Sequence, residues 1–137
     1  MIIGYTAGVY DLFHVGHLRA LETAKGMCDV LIVGVITDEL AKEYRKIEPI
    51  IPFHQRREIV NALKCVDAVI ECRTRDFYEQ WGLFKFDVAF SGEDWSNDPL
   101  YMGWAEELKK HGVVLKFLPR TGGVSSTQIR ELIGSRL

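Results

Sequence analysis

Short runs rich in Val, Ile and Phe alternate along this chain with longer stretches whose apolar positions recur every three or four residues. The short runs predict strands over Ile2 to Ala7, Val30 to Ile36, Asp67 to Cys72, Asp87 to Ser91 and Val113 to Leu118. Val30 to Ile36 is apolar at successive positions, as a parallel strand buried on both faces requires. The helical period predicts helices over His17 to Met27, Phe53 to Lys64, Phe77 to Phe84, Leu100 to His111 and Ser126 to Ser135. Leu18, Leu21 and Cys28 share a face of the first, and Ile59, Val60 and Leu63 point inward from the second. Leu100, Trp104 and Leu108 are spaced by four in the fourth, which Gly112 stops. Thr37 to Pro52 is polar, ends in PIIP and reads as a long loop, which compact domains rarely keep without a use.

Five strands alternating with helices predict an α/β fold. It is a Rossmann-like five-stranded parallel sheet with helices on both faces, forming a single domain over 1–137. An open sheet of this kind binds its ligand beyond the carboxyl ends of its strands. Four segments leave such ends: GVYDLFHVGH (8–17), TDELAKEYRKIEPIIP (37–52), SGEDWSNDP (91–99) and PRTGGVSST (119–127). All four are richer in polar, basic or glycine residues than their surroundings.

Composition narrows the chemistry. The net charge of −2 argues against nucleic-acid binding by bulk electrostatics and confines any anion site to a local cluster. No apolar run nears the ~20 residues a membrane-spanning helix needs. MIIGYTAGVYDLF lacks a basic leading segment and is broken by glycines, unlike a secretion signal. Cys28, Cys65 and Cys72 lie in apolar segments and form no C-x-x-C pair, so buried thiols and a cytoplasmic location are expected.

HVGH admits three readings. A metal site needs a third protein ligand, and no nearby motif supplies one. Histidines at a helix start also cap and pack without any ligand. As an anion site, two imidazoles would add donors to the helix's positive end, and Gly16 would let phosphate approach. In PRTGGVSSTQIRELI, Ser125 and Gln128 form a capping box that needs no ligand. Arg120, two glycines and three hydroxyls before that helix would equally cradle phosphate. Lys42, Arg45 and Lys46 are by default a solvated basic face. Gly92, Glu93, Asp94 and Trp95 are either a plain turn or an offering of carboxylates and an aromatic to a nucleobase. Arg56 and Arg57 open a helix, the wrong end for cations, which points weakly to an anionic partner. Arg73 and Arg75 fit the same reading, or simple exposure.

Together these segments resemble the nucleotidyltransferase family with an H-x-G-H signature, and its cytidylyltransferase branch in particular. The G-x-[YF]-D-x-x-H-x-G-H block stands here as GVYDLFHVGH, and the branch's R-T-x-G-[IV]-S-[ST] block as RTGGVSS. ITDELAKEYRK, PIIPFHQRREIV, LKCVDAVI and SGEDW match intermediate blocks in order, so the resemblance covers nearly the whole chain. It places Gly8, Val9, Tyr10, Asp11, His14, Gly16 and His17 around the nucleotide and the reacting phosphate. Arg120, Thr121, Gly123, Val124, Ser125 and Ser126 fall on the CTP phosphates, and Gly92 and Asp94 near cytosine. Lys46, or its neighbour Arg45, takes the part of a loop lysine, while Arg56, Lys64 and Asp67 border the acceptor pocket. Lys64 stands where enzymes acting on glycerol 3-phosphate carry Arg, Gly122 where Glu is common, and Val9 where Thr is common.

The resemblance implies transfer of a cytidylyl group from CTP to a small phosphorylated alcohol, sn-glycerol 3-phosphate being the expected one. It further implies a homodimer, with Mg²⁺ carried on the CTP phosphates and no metal held by the protein. Rival readings are another acceptor (phosphocholine, phosphoethanolamine or a phosphonate), an adenylyltransferase of the same fold, and a non-catalytic nucleotide sensor. A phosphate monoester is largely dianionic near pH 7, its second pKa being about 6, so the nucleophile needs no general base. Fixed donors are what the reaction requires.

Overall fold

The computed structural model describes residues 1–120 and 125–136. Strands β1 (Ile3–Gly8), β2 (Val30–Ile36), β3 (Ala68–Cys72), β4 (Val88–Gly92) and β5 (Val114–Leu118) form one parallel sheet in the order β3-β2-β1-β4-β5. Helices α1 (Val15–Lys25), α2 (Asp38–Arg45), α3 (Phe53–Asn61), α4 (Phe77–Phe84), α5 (Pro99–Lys109) and α6 (Ser126–Arg136) connect and close it, with a 3₁₀ turn at Glu93–Trp95. The chain winds from β1 to β3 on one side and returns through β4 and β5 on the other. The switch point is therefore the β1–β4 pair, where Tyr5 lies opposite Ala89. A crevice opens there above the strand ends.

Alternation along each strand sorts the core into two layers. Leu31, Val33 and Val35 pack with Leu21 and Ala24 of α1 and Val60 of α3 on one face. Tyr5, Ala89 and Leu115 pack with Phe77 of α4 and with Tyr101 and Leu108 of α5 on the other. Helices thus cover both faces, as the sequence pattern predicts. No helix among the described residues is long and apolar enough to cross a membrane.

Three local expectations are corrected. The stretch after β2 is not a loop throughout, because Asp38–Arg45 is helical. Thr37 caps it by accepting from the Leu40 amide at 3.1 Å, with Asp38 and Glu39 in the first turn and Lys42 and Arg45 in the last. Its apolar side is small: Ala41, with Leu40 and Tyr44, packs on Val9, Ile36 and Cys72. Next, α3 turns Arg56 and Val60 inward while Ile59 is 40% exposed. Last, Leu100 is 56% exposed and Tyr101 is buried in its place. A spacing of four drifts by about 40° per step on a 3.6-residue helix, so a row anchored at Leu108 has rotated outward by its third member. Phe13 and Trp81 are half-buried against the two core layers.

Candidate active site

The loop between β1 and α1 is held in an unusual backbone conformation. Tyr10 and Leu12 both adopt left-handed φ values, 55° and 50°, a region disfavoured for side chains of their size. Such residues cost about 1–3 kcal/mol each and persist where neighbours over-determine them. Asp11, between them, is that determinant. It is 1% exposed, and its carboxylate accepts from the Ile50 and Ile51 amides at 2.9 Å each and pairs with the Arg130 guanidinium. Its carbonyl accepts the Ser126 hydroxyl at 2.6 Å. Burial alone would raise the Asp11 pKa, but the two amides and Arg130 together hold it below the usual carboxylate value. One residue thereby ties the first loop to the segment after α2 and to α6. Gly8 is also specified here: a Cβ at that position would come within 2.8 Å of the Tyr10 ring.

The two histidines cap α1 reciprocally. His14 Nδ1 accepts from the Gly16 amide at 3.1 Å, and His17 Nδ1 accepts from the His14 amide at 3.2 Å. A capping box normally uses a hydroxyl and a carboxylate or amide, so an all-imidazole version leaves α1 with no acid in its first turn. Both rings spend Nδ1 as an acceptor, so in the neutral form each proton sits on Nε2. The rings stack with centroids 3.8 Å apart and planes at 22°. Burial, then His14 and Arg45, push the His17 pKa down to about 3 against a smaller opposing pull from Asp11. Burial lowers that of His14 as well. The pair is therefore two neutral Nε2–H donors.

His14, Gly16 and His17 line a cleft of about 360 Å³ at the carboxyl ends of the strands. Its other walls are Gly8 and Tyr10 from the β1 end, Arg45 from α2, Ser91 to Trp95 from the end of β4 and the 3₁₀ turn after it, and Arg120 with Ser125 to Thr127 at the start of α6. A second helix N-terminus faces the same space. Ser125 Oγ caps it by accepting from the Gln128 amide at 3.1 Å, and α6 likewise has no acid in its first turn. On the rim, the Arg120 guanidinium donates to Asp94 at 3.2 Å, and its amide donates to Glu93 at 3.1 Å. Among the described residues no three His, Cys, Asp or Glu side chains group as metal ligands.

The expected site residues divide sharply. His14, His17, Arg120, Gly8, Tyr10, Gly16, Gly92, Asp94, Ser125, Ser126 and Arg45 all border the cleft. Thr121, Gly123 and Val124 lie outside the described residues. Ser126 spends its single hydroxyl proton on the Asp11 carbonyl, which leaves it an acceptor and a backbone amide to offer. Asp11 supports the loop from behind, and Val9 packs into the small core under α2. Of the two loop cations, Arg45 faces the cleft; Lys46 is the exposed left-handed cap of α2.

Three residues expected at the acceptor pocket lie elsewhere. Arg56 is fully buried and donates to the carbonyls of Val9 (2.6 Å), Ile36 (2.8 Å) and Ile51 (2.8 Å) and to Asp38 (2.5 Å). Its place in the first turn of α3 is explained by those oxygens, with no outside anion needed. Asp67 accepts from the Leu31 amide and Lys25, and Lys64 is exposed three residues before it, both at the amino ends of the strands. That is the opposite end of the sheet. Conversely, the motifs did not single out Arg130. Its signal is its position one turn beyond the Ser125 cap, on the helix face that meets the first loop.

Residues 5–132 match the family model described as cytidylyltransferase-like. The chain is 34% identical over 135 residues to a glycerol-3-phosphate cytidylyltransferase of Bacillus spizizenii, covering 95% of each chain. It is 39% identical over 106 residues to an FAD synthase of Ferroglobus placidus, covering 77% of this chain and 67% of that one. Among solved structures, a lipopolysaccharide core biosynthesis protein from Thermoplasma volcanium superposes with a TM-score of 0.73 at 27% identity, covering 88% of this chain and 97% of the other. With the paired histidine caps at one helix start and the arginine-flanked cleft opposite them, these likenesses establish that the chain belongs to the cytidylyltransferase-like family of nucleotidyltransferases.

Proposed function

We propose that this chain transfers the cytidylyl group of CTP to a small phosphorylated alcohol, giving a CDP-alcohol and pyrophosphate by in-line displacement. The observation that carries the reading is the paired, neutral Nε2–H donors of His14 and His17 at an acid-free helix start, facing Arg120 across the cleft. An acceptor phosphate oxygen attacks the α-phosphorus, a P–O bond forms, and the bond to pyrophosphate breaks. Charge grows on the α-phosphoryl oxygens and on the leaving group. Neutral histidine donors stabilise the first, and Arg120, Arg45 and the α6 start receive the second. The histidines hold their protons throughout, because the dianionic nucleophile carries none to remove.

CTP enters with Mg²⁺ on its phosphates, so the ion belongs to the substrate. The carboxylates nearest the cleft, Glu93 and Asp94, are occupied by Arg120 until a nucleotide competes for it. The reading includes a cytoplasmic homodimer and sn-glycerol 3-phosphate as acceptor, in line with the Bacillus spizizenii relative. The 39% identity to an FAD synthase supports a second reading, adenylyl transfer from ATP. Pyrophosphate release with CTP and with ATP, across a panel of phospho-alcohols and flavin mononucleotide, decides between them. Turnover with CTP and a phospho-alcohol is the expected result; turnover with ATP alone overturns it. Sedimentation of the purified chain tests the dimer.

A further inference from the structure

Arg75 follows β3 at the cleft end of the sheet and is held in an aromatic box. Its guanidinium carbon lies 4.1 Å from the centre of the Tyr44 ring, 5.3 Å from Trp95 and 5.7 Å from Tyr101. Trp95 and Tyr101 are themselves stacked, with centroids 4.9 Å apart. Trp95 is also a wall of the cleft, and Tyr44 adjoins Arg45, which is another. Arg75 is thus one residue behind the cleft surface, against its Trp95 wall.

Its bonding is incomplete. Among the described residues no carboxylate lies within 4 Å of the guanidinium, while Arg19, Arg56, Arg73, Arg120 and Arg130 each have one. The Nε–H is buried with no acceptor. A desolvated donor left unpaired is costly, the more so on a charged group, so it favours any oxygen that reaches it. The three ring faces hold the cation in place, and the Tyr101 hydroxyl takes one of its hydrogen bonds while the Nε–H stays unpaired. The box is therefore filled by the chain's own positive charge, whose Nε–H still lacks an acceptor.

We propose that Arg75 is the specificity residue for the acceptor's tail: it selects an oxygen-rich tail, neutral or anionic, and rejects a cationic one. This rests on the phospho-alcohol reading above and names the class of alcohol. A tail bearing hydroxyl or carboxylate oxygens pairs with the free donors. A tail bearing an ammonium meets a like charge and finds the aromatic faces that would hold it already taken.

The test compares kcat/KM with CTP for sn-glycerol 3-phosphate, phosphoethanolamine and phosphocholine, in the wild type and in Arg75→Gln, Arg75→Lys and Tyr44→Leu. The wild type is expected to favour glycerol 3-phosphate over both ammonium acceptors. Arg75→Gln should raise KM for glycerol 3-phosphate about 10- to 100-fold, the loss of one hydrogen bond from a charged donor. KM for CTP should stay within about twofold, which also reports that the variant folds. The ratio of ammonium to glycerol acceptors should rise at least tenfold in Arg75→Gln. Arg75→Lys should keep the order with a weaker preference, and Tyr44→Leu should fall between. A wild type that prefers an ammonium acceptor, or an acceptor ratio unmoved in Arg75→Gln, overturns the proposal while leaving cytidylyl transfer standing. Absence of CTP turnover with every acceptor overturns the transferase reading first and this inference with it.

Discussion

Asp11 and Arg130, separated by 119 positions, form the ion pair that joins the first loop to the last helix. Asp11 is almost fully buried, and it also accepts two amides from the segment after α2. Removing one partner of a buried pair strands the other, so Asp11→Ala should destabilise the fold by about 3–5 kcal/mol. Arg130→Met should cost less, about 1–3 kcal/mol, because Asp11 keeps both amides. Urea unfolding of the two variants checks the order, and equal losses would remove Asp11 from the centre of the tie.

His14 and His17 each serve the helix and the cleft. Replacing either by Ala should lower kcat about 10²–10³-fold, the usual effect of losing one fixed donor to a developing charge. Stability should fall by only about 1 kcal/mol, the worth of a cap. Steady-state kinetics beside thermal unfolding separates the two effects. Near-wild-type turnover in His17→Ala would end its assignment as a phosphate donor.

The depressed His17 pKa sets the sign of an acid dependence. Unfolded His17 takes a proton near pH 6.5, whereas the folded group resists until about pH 3. Between those values the unfolded state binds more protons, so stability falls as pH falls, by up to about 1.4 kcal/mol per unit. Asp11, lowered in the fold, adds a loss of the same sign once the pH drops below its ordinary value of 3.8. Unfolding measured from pH 7 to pH 4 should show the slope, and His17→Asn should flatten it.

Turnover should behave differently. With His17 neutral throughout, kcat/KM should fall below about pH 6 because the acceptor phosphate becomes protonated. The midpoint should therefore move with the acceptor's own second pKa when acceptors are exchanged. A midpoint fixed at one value for every acceptor would assign the limb to the protein instead.

Arg56 belongs to the scaffold. Arg56→Met would leave the carbonyls of Val9, Ile36 and Ile51 unpaired in a closed site, and should cost about 3 kcal/mol or more. Its specific activity per folded molecule should stay near wild type, measured after correcting for the folded fraction. A large rise in acceptor KM in the folded protein would return Arg56 to the acceptor pocket.

Much of this was legible along the chain. The β-branched runs specify five strands because a buried strand admits little else, and the apolar 3.6-residue period marks every long helix. Helix α2 escaped that reading because it buries little more than Ala41 with parts of Leu40 and Tyr44, so its period is faint; the Thr37 cap and the opposed end charges were the remaining clue. The histidines and the Arg120 segment are readable as a site because ligands bind where the strands end, and the order of segments alone says which loops those are.

What the order of residues does not contain is which way a long side chain turns once packed. Arg56, at a helix start, and Arg75, just after a strand, read alike along the chain as arginines suited to an anionic partner. One is consumed by three carbonyls and Asp38; the other is gripped by three aromatic faces and left with a free donor. The same holds for Arg45 over Lys46, and for Lys64 and Asp67 at the far end of the sheet. Local pattern determined the sheet, the helices and the cradle's position. Tertiary packing decided which charges face the cleft, because burial and hydrogen-bond partners come from segments distant in the chain.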